Sequence, residues 1–101
     1  MDPTQAGRRR TGDQPFTETV DARRGRVRAR GHLGTAAADG LVGTVLALHH
    51  DGHRELLLDL RDLESADPPG LRAVRALQEL LDNSDGHLAL LYPIGLALRR
   101  R

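Results

Sequence analysis

Residues 55–71 read ELLLDLRDLESADPPGL, and the organisation of the whole chain follows from how that stretch is parsed. Leu56 to Leu60 is an apolar run of strand length, interrupted only by Asp59, as in a strand covered on both faces. A short loop follows. Asp67-Pro68-Pro69-Gly70 then reads as a helix entry: Asp67 is a capping residue, and proline is tolerated in a first turn because its missing N–H has no partner there. Proline before proline favours extended geometry, so the helix start is expected only at Pro69.

Reading outward, Leu71, Val74, Leu77 and Leu81 recur at helical spacing and stop near Asn83 to Gly86. His87 to Leu91 is a second short apolar strand, and residues 93–101 suit one or two further turns of helix. Upstream, Ala38, Leu41, Val42, Val45 and Leu48 predict a helix over about 36–50, with Thr35 as N-cap and Asp51-Gly52 as its end. Gly40 and Gly43 weaken that helix by up to ~1 kcal/mol each relative to alanine. Phe16 to Ala22 alternates as an edge strand, Arg23-Arg24-Gly25 is a tight turn, and Arg26 to Arg30 alternates arginine with Val27 and Ala29. Gly31-His32-Leu33-Gly34 breaks the alternation. The predicted order is β-β-α-β-α-β plus a partial C-terminal helix. This is an α/β fold with a mixed four- to five-stranded sheet, parallel neighbours and right-handed crossovers.

A chain of 101 residues holds one domain at most, with a thin margin of stability. It carries one Phe, one Tyr and no Trp, so Leu, Val and Ile are expected to build the core. Cysteine is absent, which excludes disulfides, thiol chemistry and cysteine-ligated zinc, and favours the cytoplasm over secretion. No apolar run reaches the length of a membrane-spanning helix or forms a signal peptide. Every basic residue is arginine, clustered at Arg8–Arg10, Arg23–Arg30 and Arg99–Arg101, yet the net charge is only +1. That balance disfavours a dedicated nucleic-acid binder. Residues 1–15 have almost nothing to bury and are expected to be a disordered, arginine-containing leader, with the domain spanning 16–101.

Catalytic signatures are sparse. Ser65 and Ser84 are the only serines and neither lies in a Gly-x-Ser-x-Gly turn. There is no lysine for a phosphate loop. His49 and His53 have the i, i+4 spacing of a helical metal site, but Asp51-Gly52 should end the helix between them. Neither an enzymatic activity, a cofactor nor a metal is expected. The rigid, exposed Asp67–Gly70 loop, expected to lie beside the Leu33-Gly34-Thr35 turn, is the best candidate for recognition.

From Phe16 to Leu91 this organisation resembles the STAS domain, the fold of bacterial anti-sigma factor antagonists and of sulfate transporter tails. Gly31-His32-Leu33 stands where that family has Gly-x-Leu-Asp before its first helix, and Leu57-Leu58-Asp59-Leu60 matches its central strand. Asp67-Pro68-Pro69-Gly70-Leu71 falls on its Asp-Ser-Ser/Thr-Gly-Leu motif. The resemblance implies a non-enzymatic regulator that binds an anti-sigma factor or related serine-kinase domain through Asp67, Pro68, Pro69 and Gly70, with Leu33, Gly34 and Thr35 alongside. In the family the first serine of the motif is phosphorylated; here Pro68 occupies it and Pro69 its neighbour, so the switch is expected to be absent. Ser65, three residues upstream, is too far to substitute. Gly34 replaces the family's usual aspartate, and the chain ends where the family continues through a further strand and helix, a C-terminally shortened domain. Two alternatives stand beside this reading: a degenerate STAS scaffold that self-associates as a homo-oligomer, and anionic-surface or nucleic-acid binding through the arginine-rich tails. No membrane partner is expected.

Overall fold

The computed structural model describes residues 16–92. The expectations for the leader at 1–15 and for a helix at 93–101 lie outside the described residues. Strands β1 (Phe16–Asp21) and β2 (Arg26–Leu33) form an antiparallel hairpin, followed by α1 (Thr35–His50), β3 (Glu55–Ala66), α2 (Pro68–Asp82) and β4 (His87–Leu91). The sheet order is β1-β2-β3-β4, with β2, β3 and β4 mutually parallel. The architecture is therefore the expected α/β one with a four-stranded mixed sheet.

Both helices pack on one face of the sheet and against each other. Period-2 alternation in the strands and the 3–4 spacing in the helices put their apolar residues into one core. Val27, Ala29 and Leu33 of β2 meet Leu56, Leu58, Leu60 and Leu63 of β3, under Leu41 and Val45 of α1 and Val74, Leu77 and Leu81 of α2. Thr44 of α1 donates to Glu18 of β1 at 2.7 Å, which ties the edge strand to the helix layer.

Several element boundaries differ from those expected, and each difference has a local cause. β3 continues to Ala66 where a loop after Leu60 was expected, and β2 continues through Gly31-His32-Leu33. The extension is possible because β3 contains two bulges: Arg28 pairs with Asp59 but Arg30 with Asp62, and Gly31 pairs with Leu63 but His32 with Ser65. Each bulge inserts one unpaired residue, which hid the strand from a strict two-residue period. Gly31 has φ 97°, a conformation that favours glycine, at the second shift. Gly34, not Thr35, is the N-cap of α1, and Thr35 is its first helical residue. β1 stops at Asp21, one residue short of the expected Ala22. β3 is also not covered on both faces by described elements: Leu57 and Asp59 point away from the helices.

Asp59 stabilises the first bulge. Its Oδ1 accepts from the Arg61 backbone N–H at 3.0 Å, a donor displaced from the ladder. The Arg61 guanidinium also donates to both carboxylate oxygens, at 3.0 and 2.9 Å. These Arg61 hydrogen bonds hold the Asp59 carboxyl below its usual range, against the opposing effect of burial, with Arg28 adding a smaller attraction.

A depressed folded-state pKa gives stability that is present above the unfolded pKa and lost as pH falls through the folded one. Stability to urea should therefore fall as pH drops below the ordinary carboxylate range. Asp59→Asn should be less stable at neutral pH and show a shallower acid slope; an unchanged slope would count against this role. Leu58, fully buried, should cost about 2–5 kcal/mol when changed to alanine, against little change for the exposed Leu80→Ala, read from denaturation midpoints.

Candidate functional site

The parallel arrangement of β2 and β3 delivers their C-terminal ends to the same edge of the sheet, where α1 and α2 begin. The Leu33-Gly34-Thr35 turn and the Asp67–Gly70 loop meet there. The Asp67 N–H donates to the Leu33 carbonyl at 3.0 Å, extending the strand pairing one step past Ala66. Gly70 is buried against that carbonyl: a Cβ built on it would lie 2.6 Å from Leu33 O and 3.2 Å from Gly34 O. Only glycine permits this approach of the two backbones.

The seven residues expected at the site are thus brought together, but in different capacities. Asp67, Pro68, Pro69 and Thr35 are exposed, Gly34 is half-buried, and Leu33 and Gly70 are buried. Leu33 and Gly70 shape the surface from beneath; the other five can present it. The helix starts at Pro68, one residue before the expected Pro69, because the extended geometry falls on the N-cap Asp67 instead, so both prolines lie in the first turn. Their rings fix φ and remove two of the N–H groups that a helix N-terminus normally offers to an anion.

Asp67 is the N-cap residue, yet its side chain makes no capping hydrogen bond. The proline at the second helical position has no N–H to give it, and the carboxylate turns across the loop instead. Asp67 Oδ2 lies 3.3 Å from His32 Nε2, and His32 Nδ1 lies 2.7 Å from Ser65 Oγ. With Nε2 facing a carboxylate, the neutral ring carries its proton there and Nδ1 accepts from the Ser65 hydroxyl. His32 therefore bridges the end of β3 to the start of α2.

This bridge has no local signal in the sequence. His32 and Ser65 are 33 positions apart and become neighbours only through the second bulge. A Cβ at Gly34 would lie 3.4 Å from Asp67 Oδ2 and 3.5 Å from the His32 ring, so a side chain here would crowd the same contact.

The histidines at the opposite end of the sheet are dispersed. α1 ends at His50, before His53. His49 Nε2 lies 3.1 Å from Asp85, and His87 Nδ1 lies 3.0 Å from Asp82. Those contacts hold the turn between α2 and β4 rather than converging on one point. Among the described residues, no helix is long and apolar enough to cross a membrane.

No protein-family model matches the chain, and no curated protein matches it.

Gly70→Ala should destabilise the fold by about 1–3 kcal/mol, because the new methyl overpacks against a strand carbonyl that cannot move freely. Gly43→Ala, with nothing within 4 Å of its Cβ, should be neutral or slightly stabilising, about 0.5–1 kcal/mol in chemical denaturation. Equal effects at the two positions would refute the close approach.

Proposed function

We propose that this chain is a non-enzymatic bacterial regulator of the anti-sigma factor antagonist type, acting in the cytoplasm. It binds an anti-sigma factor or related serine-kinase domain through the loop at the start of α2, without a phosphorylation switch. The observation that carries the reading is the joining of two loops into one small surface, with Asp67, Pro68, Pro69 and Thr35 exposed over the buried pair Leu33 and Gly70. The STAS-like order of elements and motifs supports the choice of partner class.

The chemistry of the loop accounts for how it would work. Two prolines in the first turn lower the entropy lost when the loop is held by a partner. His32 positions Asp67 from behind, leaving a carboxylate in a set place for a partner's arginine or backbone donor. Neither Pro68 nor Pro69 carries a hydroxyl, so a kinase docked here finds no acceptor at the family's serine position. Binding should then be constitutive, governed by abundance and not by phosphorylation state.

Affinity capture from lysate of the native cells tests this, using wild type and Asp67→Arg/Thr35→Glu, followed by titration of the recovered protein. Both substituted residues are exposed, so the fold should survive. A kinase-like anti-sigma factor should be retained by wild type, with affinity reduced at least about tenfold in the double variant. Incubation of the complex with Mg-ATP should leave the mass of this chain unchanged. Undiminished binding by the double variant would remove the loop from the interface.

A further inference from the structure

His32 and Ser65 stand opposite each other in the β2–β3 ladder, and Asp67 follows Ser65 by two residues. The contacts among them run in one line of hydroxyl, imidazole and carboxylate. Ser65 Oγ lies 2.7 Å from Nδ1 of His32, and Asp67 Oδ2 lies 3.3 Å from Nε2. A hydroxyl is a weak nucleophile until a neighbouring base takes its proton, and an imidazole is held to that task when a carboxylate accepts the N–H on its far side. In the familiar arrangement of these three groups the serine faces Nε2 and the carboxylate Nδ1. Here the two nitrogens exchange places, while each group keeps the partner its role requires.

Backbone pairing holds the three groups in place. The register sets His32 against Ser65, and the Asp67 N–H, donating to the Leu33 carbonyl at 3.0 Å, ties the start of α2 to the end of β2. The second bulge leaves Glu64 out of the pairing and thereby turns Ser65 to the side of the ladder on which His32 lies, the re-aiming that a bulge performs. Ser65 and His32 are half-buried, so each keeps some contact with solvent.

Other residues of the chain carry parts of this cluster but not the whole. Ser84, the other serine, is exposed and donates to the Leu80 carbonyl at 2.9 Å. His49 and His87 each face a carboxylate, of Asp85 and Asp82, yet neither has a serine at its second nitrogen among the described residues.

We propose that Ser65 is an activated nucleophile that takes an acyl group from an aryl ester or thioester, with His32 as its general base and Asp67 as a positioning residue. Ser65 Oγ attacks the carbonyl carbon of the ester while its proton passes to His32 Nδ1. The Oγ–carbon bond forms, the bond from that carbon to the leaving aryloxide or thiolate breaks, and His32 hands the proton to the leaving group. The Nε2–H stays on the ring and donates to Asp67, whose charge offsets that of the imidazolium. The product is an O-acyl serine, a stoichiometric modification of the chain. It does not depend on which partner the loop binds.

The test incubates the full-length chain with p-nitrophenyl acetate and, separately, with an alkyl fluorophosphonate, which reacts with the same kind of serine. Adducts are counted and located by mass spectrometry, and a melting curve is recorded for every variant. One adduct per chain should form on Ser65, at least about a hundredfold faster than on Ser84. Ser65→Ala should abolish it. His32→Ala should slow it about a hundredfold, with partial recovery on adding imidazole, and Asp67→Asn about tenfold. Because Asp67 acts through His32, adding Asp67→Asn to His32→Ala should cost no further rate.

No adduct, equal labelling of Ser65 and Ser84, or an undiminished rate in a folded His32→Ala variant would each overturn the proposal. Additive losses in the double variant would overturn the part assigned to Asp67. The ratio of Ser65 to Ser84 labelling is read in the wild-type chain, so it decides the matter even where a variant fails to fold. Partner capture by the loop enters none of these readouts, so the two readings fail separately.

Discussion

The parallel pairing of β2 with β3 is the constraint on which the rest of the structure depends. β3 spends two more residues than β2 over the paired length, and those two bulges perform separate tasks. The first lets Leu60 and Leu63 both face the helices although they are three residues apart, so the core continues past Asp62. The second brings Ser65 level with His32, which sets the loop that follows. A strict two-residue period through this strand would have turned Leu63 to the open face and moved Asp67 out of reach of His32.

The bulges need local compensation, and the side chains around them provide it. Asp59 accepts the Arg61 amide and guanidinium at the first. At the second, Gly31 takes a backbone conformation that other residues resist, and the His32 ring joins the Ser65 hydroxyl to the Asp67 carboxylate. A buried carboxylate is costly unless it is paired and hydrogen-bonded, and Asp59 is both. The same guanidinium that satisfies it also partly covers it.

Much of this was legible in the sequence, for identifiable reasons. The helices announce themselves by regular spacing: Ala38, Leu41, Val45 and Leu48 in one, Val74, Leu77 and Leu81 in the other, all buried as the period requires. β4 matched its expected bounds because a short apolar run after a helix stop has few alternatives. The end of β3 was not legible, since each bulge breaks the alternation that identifies a strand, and the end of β2 was hidden because Gly31 reads as a breaker although the strand runs on through it to Leu33. Capping was misassigned for a related reason. Thr35 has the better capping side chain, but the chain turns at Gly34, and Asp67 caps by backbone position while its carboxylate goes elsewhere. At the candidate site, the meeting of the two loops could be foreseen from topology alone. The burial of Gly70 and the part played by His32 depend on register across 33 residues, which no local pattern encodes.

The contact of Gly70 with the Leu33 carbonyl also has a mechanical side. The two loops leave the sheet from the same ends of two adjacent parallel strands and are latched backbone to backbone. A load applied to that surface would be directed along β2 and β3 together, so the two strands would move as one unit and the ladders joining them to β1 and β4 would bear it in shear, many bonds at once. A load applied at the β1 edge would instead peel the hairpin open one bond after another. The molecule is stiff in the direction in which its loops face and compliant across it.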